Sequence, residues 1–222
     1  MSGFKAFALV PCVVLMGAAV AFAQAPASTP TFQRGFMTAT AGASFGDQQT
    51  PTFGVDLAEN INPHVQAYVS FTYFDDLITD SAQSGLDDLA ANLTRLTART
   101  WEFTGHDRGL AFSGGGKYLF ANGSAVRPYV GAAPGVIKLR RTIVEPQLGE
   151  ISDEVLAAFG ATGGVIDAAQ ESTYKPTAEF LAGVGIGKGR TYVDIGYRFR
   201  QVFKVAEPFR FSQFNVGVGM RF

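Results

Sequence analysis

From Phe214 to Phe222 the chain alternates without a slip. Phe214, Val216, Val218, Met220 and Phe222 form one set, and Asn215, Gly217, Gly219 and Arg221 form the other. Successive side chains of a strand point to opposite faces. This segment is therefore a strand with one wholly apolar face and one face that is small, polar or cationic. In a soluble sheet the apolar face would be the core. In a membrane barrel it meets lipid, and the polar face lines the lumen.

The same alternation recurs over eight segments: 35–45, 52–60, 64–75, 107–121, 125–141, 174–187, 191–203 and 211–222. In the third, Val65, Ala67, Val69, Phe71 and Tyr73 stand opposite Gln66, Tyr68, Ser70 and Thr72. In the seventh, Val193, Ile195, Tyr197 and Phe199 stand opposite Asp194, Arg198 and Arg200. The connections sort by parity. Asn60 to Pro63, Asn122-Gly123-Ser124 and Gly187 to Arg190 are tight even-numbered turns, whereas both long breaks, 76–106 and 142–173, are odd-numbered. A β-sandwich has no reason to sort its loops this way. A barrel with short turns on one side of a membrane and long loops on the other does so by construction. Segments of this length also suit a tilted crossing of about 9–11 residues. No apolar run after residue 23 reaches the ~18 residues of a spanning helix, so any crossing must use strands closed on themselves. Pro134 suggests a bulge in the fifth segment.

Each long break carries a helical signature. Leu86, Leu89, Leu93 and Leu96 recur at helical spacing behind Ser84, a candidate N-cap. Ser152-Asp153-Glu154 precedes Val155, Leu156 and Phe159 in the same manner. Aromatics gather near segment ends. Phe45, Phe53, Tyr73, Phe199 and Phe203 are expected at the outer rim, and Tyr118, Phe120, Tyr129 and Phe222 at the inner rim.

At the N-terminus Lys5 is the only charge before residue 34, an apolar run follows, and Ala21-Phe22-Ala23 supplies an A-x-A cleavage site. Residues 1–23 read as a secretory signal peptide, 24–34 as a flexible arm, and 35–222 as the barrel domain. Cys12 leaves with the signal, so the exported chain has no cysteine and no disulfide framework. With 18 Lys+Arg against 19 Asp+Glu there is no basic surplus for nucleic acid.

With that architecture in place, Asn215, Gly217, Met220 and Phe222 match the C-terminal recognition signal of bacterial outer-membrane barrels: a polar residue, a Gly, a hydrophobe and a terminal aromatic. Over 35–222 the chain resembles the small outer-membrane β-barrel superfamily, that is, OmpA-like membrane domains, OmpX-like and opacity-type proteins. The resemblance implies an all-β fold: an eight-stranded antiparallel up-and-down transmembrane barrel with short periplasmic turns and two long extracellular loops. It further implies a bacterial outer-membrane location, insertion by the barrel-assembly machinery with Phe222 as the terminal signal residue, and contact with outer-membrane lipids including lipopolysaccharide. No peptidoglycan-binding domain is expected after the barrel.

Asp56, Lys117, Glu179, Asp194, Arg198 and Arg221 fall on the polar faces, three acids and three bases. Charges held out of water need partners, and an eight-stranded interior is only wide enough for side chains. These six are expected to form a salt-bridged network plugging the lumen, with Arg198 and Arg221 each paired to a carboxylate.

Some barrels of this size modify lipid A with a His, a Ser and a carboxylate. The only histidines are His64 and His106, and neither is followed two residues later by the Ser of the deacylase pattern. No catalytic residue, metal site or cofactor is expected. The function expected is structural or surface-interacting, through the long loops, with no identified extracellular partner. The alternatives are a narrow pore or carrier for small or hydrophobic solutes, a lipid A-modifying enzyme, and a soluble lipocalin-like barrel.

Overall fold

The computed structural model describes residues 35–46, 49–97, 99–120, 124–151, 173–187, 189–203 and 209–222. The expected signal peptide and arm, the Asn122-Gly123 turn and the helical signature at 152–159 lie outside the described residues. The strands are β1 (Gly35–Phe45), β2 (Gln49–Asn60), β3 (Val65–Phe74), β4 (Thr104–Leu119), β5 (Val126–Glu145), β6 (Gly149–Glu150), β7 (Thr173–Ile186), β8 (Thr191–Val202) and β9 (Arg210–Arg221). Among the described residues one helix, α1, spans Asp80–Thr97.

Eight of these strands make the wall. Each pairs antiparallel with its neighbour in sequence, β5 passing to β7, and β1 closes on β9 from Phe36↔Arg221 to Phe45↔Ser212. The two-residue β6 only folds back on the end of β5. The closing seam is tight. A Cβ on Gly42 would lie 2.0 Å from the Phe214 carbonyl oxygen, and one on Gly217 would lie 2.8 Å from that of Ala39. Only glycine lets the two backbones approach so closely. The strand ends Asn60, Val65, Leu119, Val126, Ile186 and Thr191 lie at one end of the barrel, with Gly35 and Phe222; Phe45, Gln49, Phe74, Thr104, Glu145, Thr173, Val202 and Arg210 lie at the other. Gly189, at φ +74°, allows the β7–β8 turn.

Alternation fixes what faces where. Met37, Leu57, Phe71, Phe112, Val130, Phe180, Val193, Val216 and Met220 all project outward and are exposed. Thr38, Asp56, Ser70, Ser113, Glu179, Asp194, Arg198 and Asn215 project inward and are buried. This is a soluble protein inside out, which is the arrangement lipid demands. Along β5 the outward positions from Val126 to Val136 carry no charge. At 3.4 Å per residue and a tilt of ~40°, they cover about 26 Å of hydrocarbon, close to the ~25 Å expected of such barrels.

Two expectations change. Pro134 makes no bulge. The β4–β5 register is the same at Ser113↔Gly135 and Gly116↔Ala132, so no residue is inserted, and Pro134 still pairs with Ala178 on β7. The ladder merely opens where proline has no N–H to give. Second, β4 begins before the expected 107 and β5 runs past 141, the two pairing out to Thr104↔Val144. Above the apolar belt a strand no longer needs an apolar outer face, so the alternation that marks it in sequence fades.

Candidate functional site

The lumen holds three layers. At the loop end Phe74, Leu77, Ala111, Ile137, Val202 and Phe211 close into an apolar plug. Phe74, Ile137 and Val202 have no exposed surface.

Beneath the plug lie the charges. Arg198 on β8 reaches across the barrel to β2 and β3. Its Nη2 donates to Asp56 Oδ2 and its Nη1 donates to Ser70 Oγ at 2.7 Å, with Glu179 Oε1 3.7 Å from Nη1. Lys117 Nζ lies 3.6 Å from Asp56 Oδ2 and sits over the Tyr68 and Tyr129 rings at 4.7 and 4.9 Å. Tyr68 donates to Glu179 Oε1 at 3.0 Å and Ser113 donates to Oε2 at 3.4 Å. Asp194 accepts from the Tyr129 hydroxyl at 2.8 Å. Five of the six charges picked out by alternation thus gather in one buried zone spanning β2, β4, β7 and β8.

Arg221 does not join them. Its guanidinium donates to the carbonyls of Gly189 at 3.0 Å and Gly187 at 3.3 Å and lies 5.0 Å over Tyr192. Among the described residues no carboxylate is within ion-pair distance. The expected carboxylate partner is replaced by the turn's own carbonyls, because Arg221 sits at the last rung of β9, level with the β7–β8 turn.

Arg200 is the participant that sequence reasoning left out. It is 2 % exposed, its Nη2 donates to Glu179 Oε2, and its guanidinium lies over Phe74 and Phe211 at 5.4 and 5.9 Å. It thereby joins the charge layer to the plug. Its position two residues beyond Arg198 was the available signal, since i and i+2 share a face. Tyr129 is a further correction. It stands in the lumen rather than at the inner rim, because every odd residue of β5 in the wall points inward.

At the turn end a cavity of about 40 Å³ remains, lined by Thr38, Lys117, Arg127, Tyr192, Asp194 and Arg221 among others. The rim outside it carries His64 stacked on Tyr118 and Tyr118 edge-on to Phe120.

Of the C-terminal residues, Asn215 and Gly217 face the lumen and are buried, while Met220 and Phe222 face outward and are exposed. Phe222 exchanges backbone hydrogen bonds of 3.0 Å with Gly35, so the terminal residue completes the seam.

A second built feature stands above the loop end. The extended β4–β5 hairpin packs against α1 through Ile78, Leu86, Ala90, Leu93, Trp101, Phe103, Ile143 and Ile151, a core separate from the lumen. Thr79, rather than the expected Ser84, caps α1, its Oγ1 accepting from Ala82 N at 3.3 Å. Leu96, expected on the buried face, is 76 % exposed. Gln83 clamps the helix to the hairpin. Its amide donates to Phe103 O at 2.9 Å and accepts from Gly105 N at 3.2 Å. Asp76 accepts from Ile78 N and Asp107 N and meets His106 Nδ1 at 2.9 Å. His106 points outward, whereas Ser113 is buried in the lumen against Glu179.

No protein-family model matches the sequence, and no curated protein does. Solved structures do match. Neisserial surface protein A (NspA) aligns with a TM-score of 0.51 at 15 % identity, covering 85 % of this chain and 96 % of its own. The N-terminal β-barrel domain of Pseudomonas aeruginosa OprF aligns at 0.48 and 13 % identity, covering 86 % of this chain and 98 % of its own. Ail, the attachment invasion locus protein of Yersinia pestis, aligns at 0.48 and 13 % identity, covering 86 % and 97 %. The NspA alignment and the inverted polarity of the wall agree: the chain has the fold of a small outer-membrane barrel, a closed eight-stranded antiparallel transmembrane β-barrel.

Proposed function

We propose that this protein is exported through its signal peptide to the outer membrane of a Gram-negative-type envelope. There it acts as a structural and surface-interaction protein. Its long connections face outward and its turns face the periplasm. The observation that carries this reading is the contrast between the two ends of the lumen axis. The passage is shut by Phe74, Ile137, Val202 and Phe211 over a paired charge layer, while the loop end carries a hairpin and helix with a core of their own. A wall that leads nowhere and a platform that is independently packed suit presentation better than transport, since rigid scaffolds display binding loops.

Insertion would use the barrel-assembly machinery, with Phe222 as the signal residue, and the wall would contact outer-membrane lipids including lipopolysaccharide. No catalytic role is assigned. His106 and Ser113 lie on opposite faces of β4, so neither can serve the other as base and nucleophile. The test is conductance of the folded protein in planar bilayers. No channel steps above the lipid baseline are expected; reproducible steps would replace this reading with a pore.

A further inference from the structure

The charges of the lumen do not sum to zero. From the charge layer down to the turn end, the inward-facing ionised side chains of the described strands are five cations, Lys117, Arg127, Arg198, Arg200 and Arg221, and three carboxylates, Asp56, Glu179 and Asp194. Asp56 and Glu179 are taken by Arg198 and Arg200. The surplus gathers at the turn-end cavity, which Lys117, Arg127, Arg221 and Asp194 all line.

Each of the three cations at this cavity has donors to spare. Lys117 is 7 % exposed, and its ammonium makes no hydrogen bond among the described residues: Asp56 Oδ2 is 3.6 Å away, and the nitrogen lies over the Tyr68 and Tyr129 rings. Arg221 is 4 % exposed; its Nη atoms donate to the neutral carbonyls of Gly187 and Gly189, and its Nε has no partner among the described residues. Arg127, half-buried, donates from Nε to the Ser124 carbonyl at 3.3 Å and is close enough to Arg221 for the two charges to repel. Cations held out of water without a counter-charge are costly. Room for one exists. Gly185 stands between Arg127 and Asp194 in the ladder, and the nearest atom that a Cβ there would meet is on Tyr192, at 3.7 Å.

Asp194 decides which anion fits. Its Oδ2 accepts from the Tyr129 hydroxyl at 2.8 Å, and no cation stands within ion-pair distance of it among the described residues. A carboxylate beside an anion repels one that has no proton and accepts a hydrogen bond from one that has. Phosphate at neutral pH keeps a hydroxyl; sulfate keeps none. We infer that the turn-end mouth of the lumen is a binding site for hydrogen phosphate. Lys117, Arg127 and Arg221 supply the charge-assisted donors, and Asp194 accepts from the hydroxyl of the ion. The apolar plug closes the passage above, so the ion is held and not conducted. The site is the same whichever side of the membrane the turns face.

The experiment titrates inorganic phosphate, and separately sulfate at equal ionic strength, into the folded full-length barrel in a neutral detergent with chloride as the only other anion. Binding is read by isothermal titration calorimetry and folding by the heat-dependent gel shift. Phosphate is expected to bind saturably at one site, and sulfate roughly tenfold or more weakly, the loss expected when a buried acceptor goes unsatisfied. Arg127→Gln should weaken phosphate by roughly tenfold, since a hydrogen bond from a charged group is lost. Asp194→Asn should abolish the preference for phosphate over sulfate, and Arg210→Gln, on the outer face, should leave both affinities unchanged. The absence of saturable phosphate binding, unchanged binding in Arg127→Gln, a preference kept in full by Asp194→Asn, or sulfate bound as tightly as phosphate by the parent would each overturn the site. Should a variant lose the gel shift, the comparison of the two ions on the parent decides alone.

Discussion

Arg198 is the residue on which the interior turns. Removing its guanidinium leaves Asp56 and Glu179 buried with less compensation. Breaking a buried ion pair from one side costs about 3–5 kcal/mol. Arg198→Met should lower folding stability by that order, read as a fall in the urea midpoint of the folded barrel, whereas Arg210→Gln on the outer rim should change it by less than ~0.5 kcal/mol. Position on a face is what single residues reveal in sequence, because side-chain parity is a backbone property. Asp56, Lys117, Glu179, Asp194 and Arg198 can be grouped that way. Their partners cannot. Tyr129 reads as a rim aromatic because β5 has apolar residues on both faces, and only the closed barrel puts its hydroxyl 2.8 Å from Asp194. Arg221 shows the opposite limit: its inward direction follows from parity, but its carbonyl partners belong to a turn thirty-odd residues away.

At the scale of elements, the wall and the outer module answer to different forces. The module is an ordinary water-soluble core, so core truncation should act on it alone. Leu93→Ala should cost about 2–5 kcal/mol locally, and Gly85→Ala should strengthen α1 by up to ~1 kcal/mol, since a Cβ there meets nothing within 4 Å. Trp101 is the only tryptophan and is buried in that core. Its emission should therefore red-shift in denaturant before the strand signal in circular dichroism is lost, earlier still in Leu93→Ala. A single coincident transition would show that module and wall unfold as one. The helix is legible in its leucines at 86, 89 and 93, although its start at Asp80 is hidden because Thr79 caps it from within a polar stretch. The hairpin above the rim is much less legible. Thr104-Gly105-His106 and Thr142-Ile143-Val144 look like loop because no lipid constrains their outer face.

For the whole molecule the defining event is closure. Gly42→Val should push the Phe214 backbone away, since even a Cβ there would lie 2.0 Å from its carbonyl oxygen. The variant is expected to lose the heat-dependent gel shift that a folded barrel shows, while Gly85→Ala keeps it. Closure is also the part of the architecture that sequence carries best: eight alternating segments and parity-sorted connections leave little room for another topology. It says nothing of the order of events, which the seam does. β1 finds its second neighbour only once β9, the wall strand furthest from it in sequence, has been made. Until then the leading segment has an open edge, and every growing intermediate shows oily side chains to water. Such a polypeptide gains nothing by maturing early. The outward-facing side chains favour closing the ring where hydrocarbon, not water, meets them.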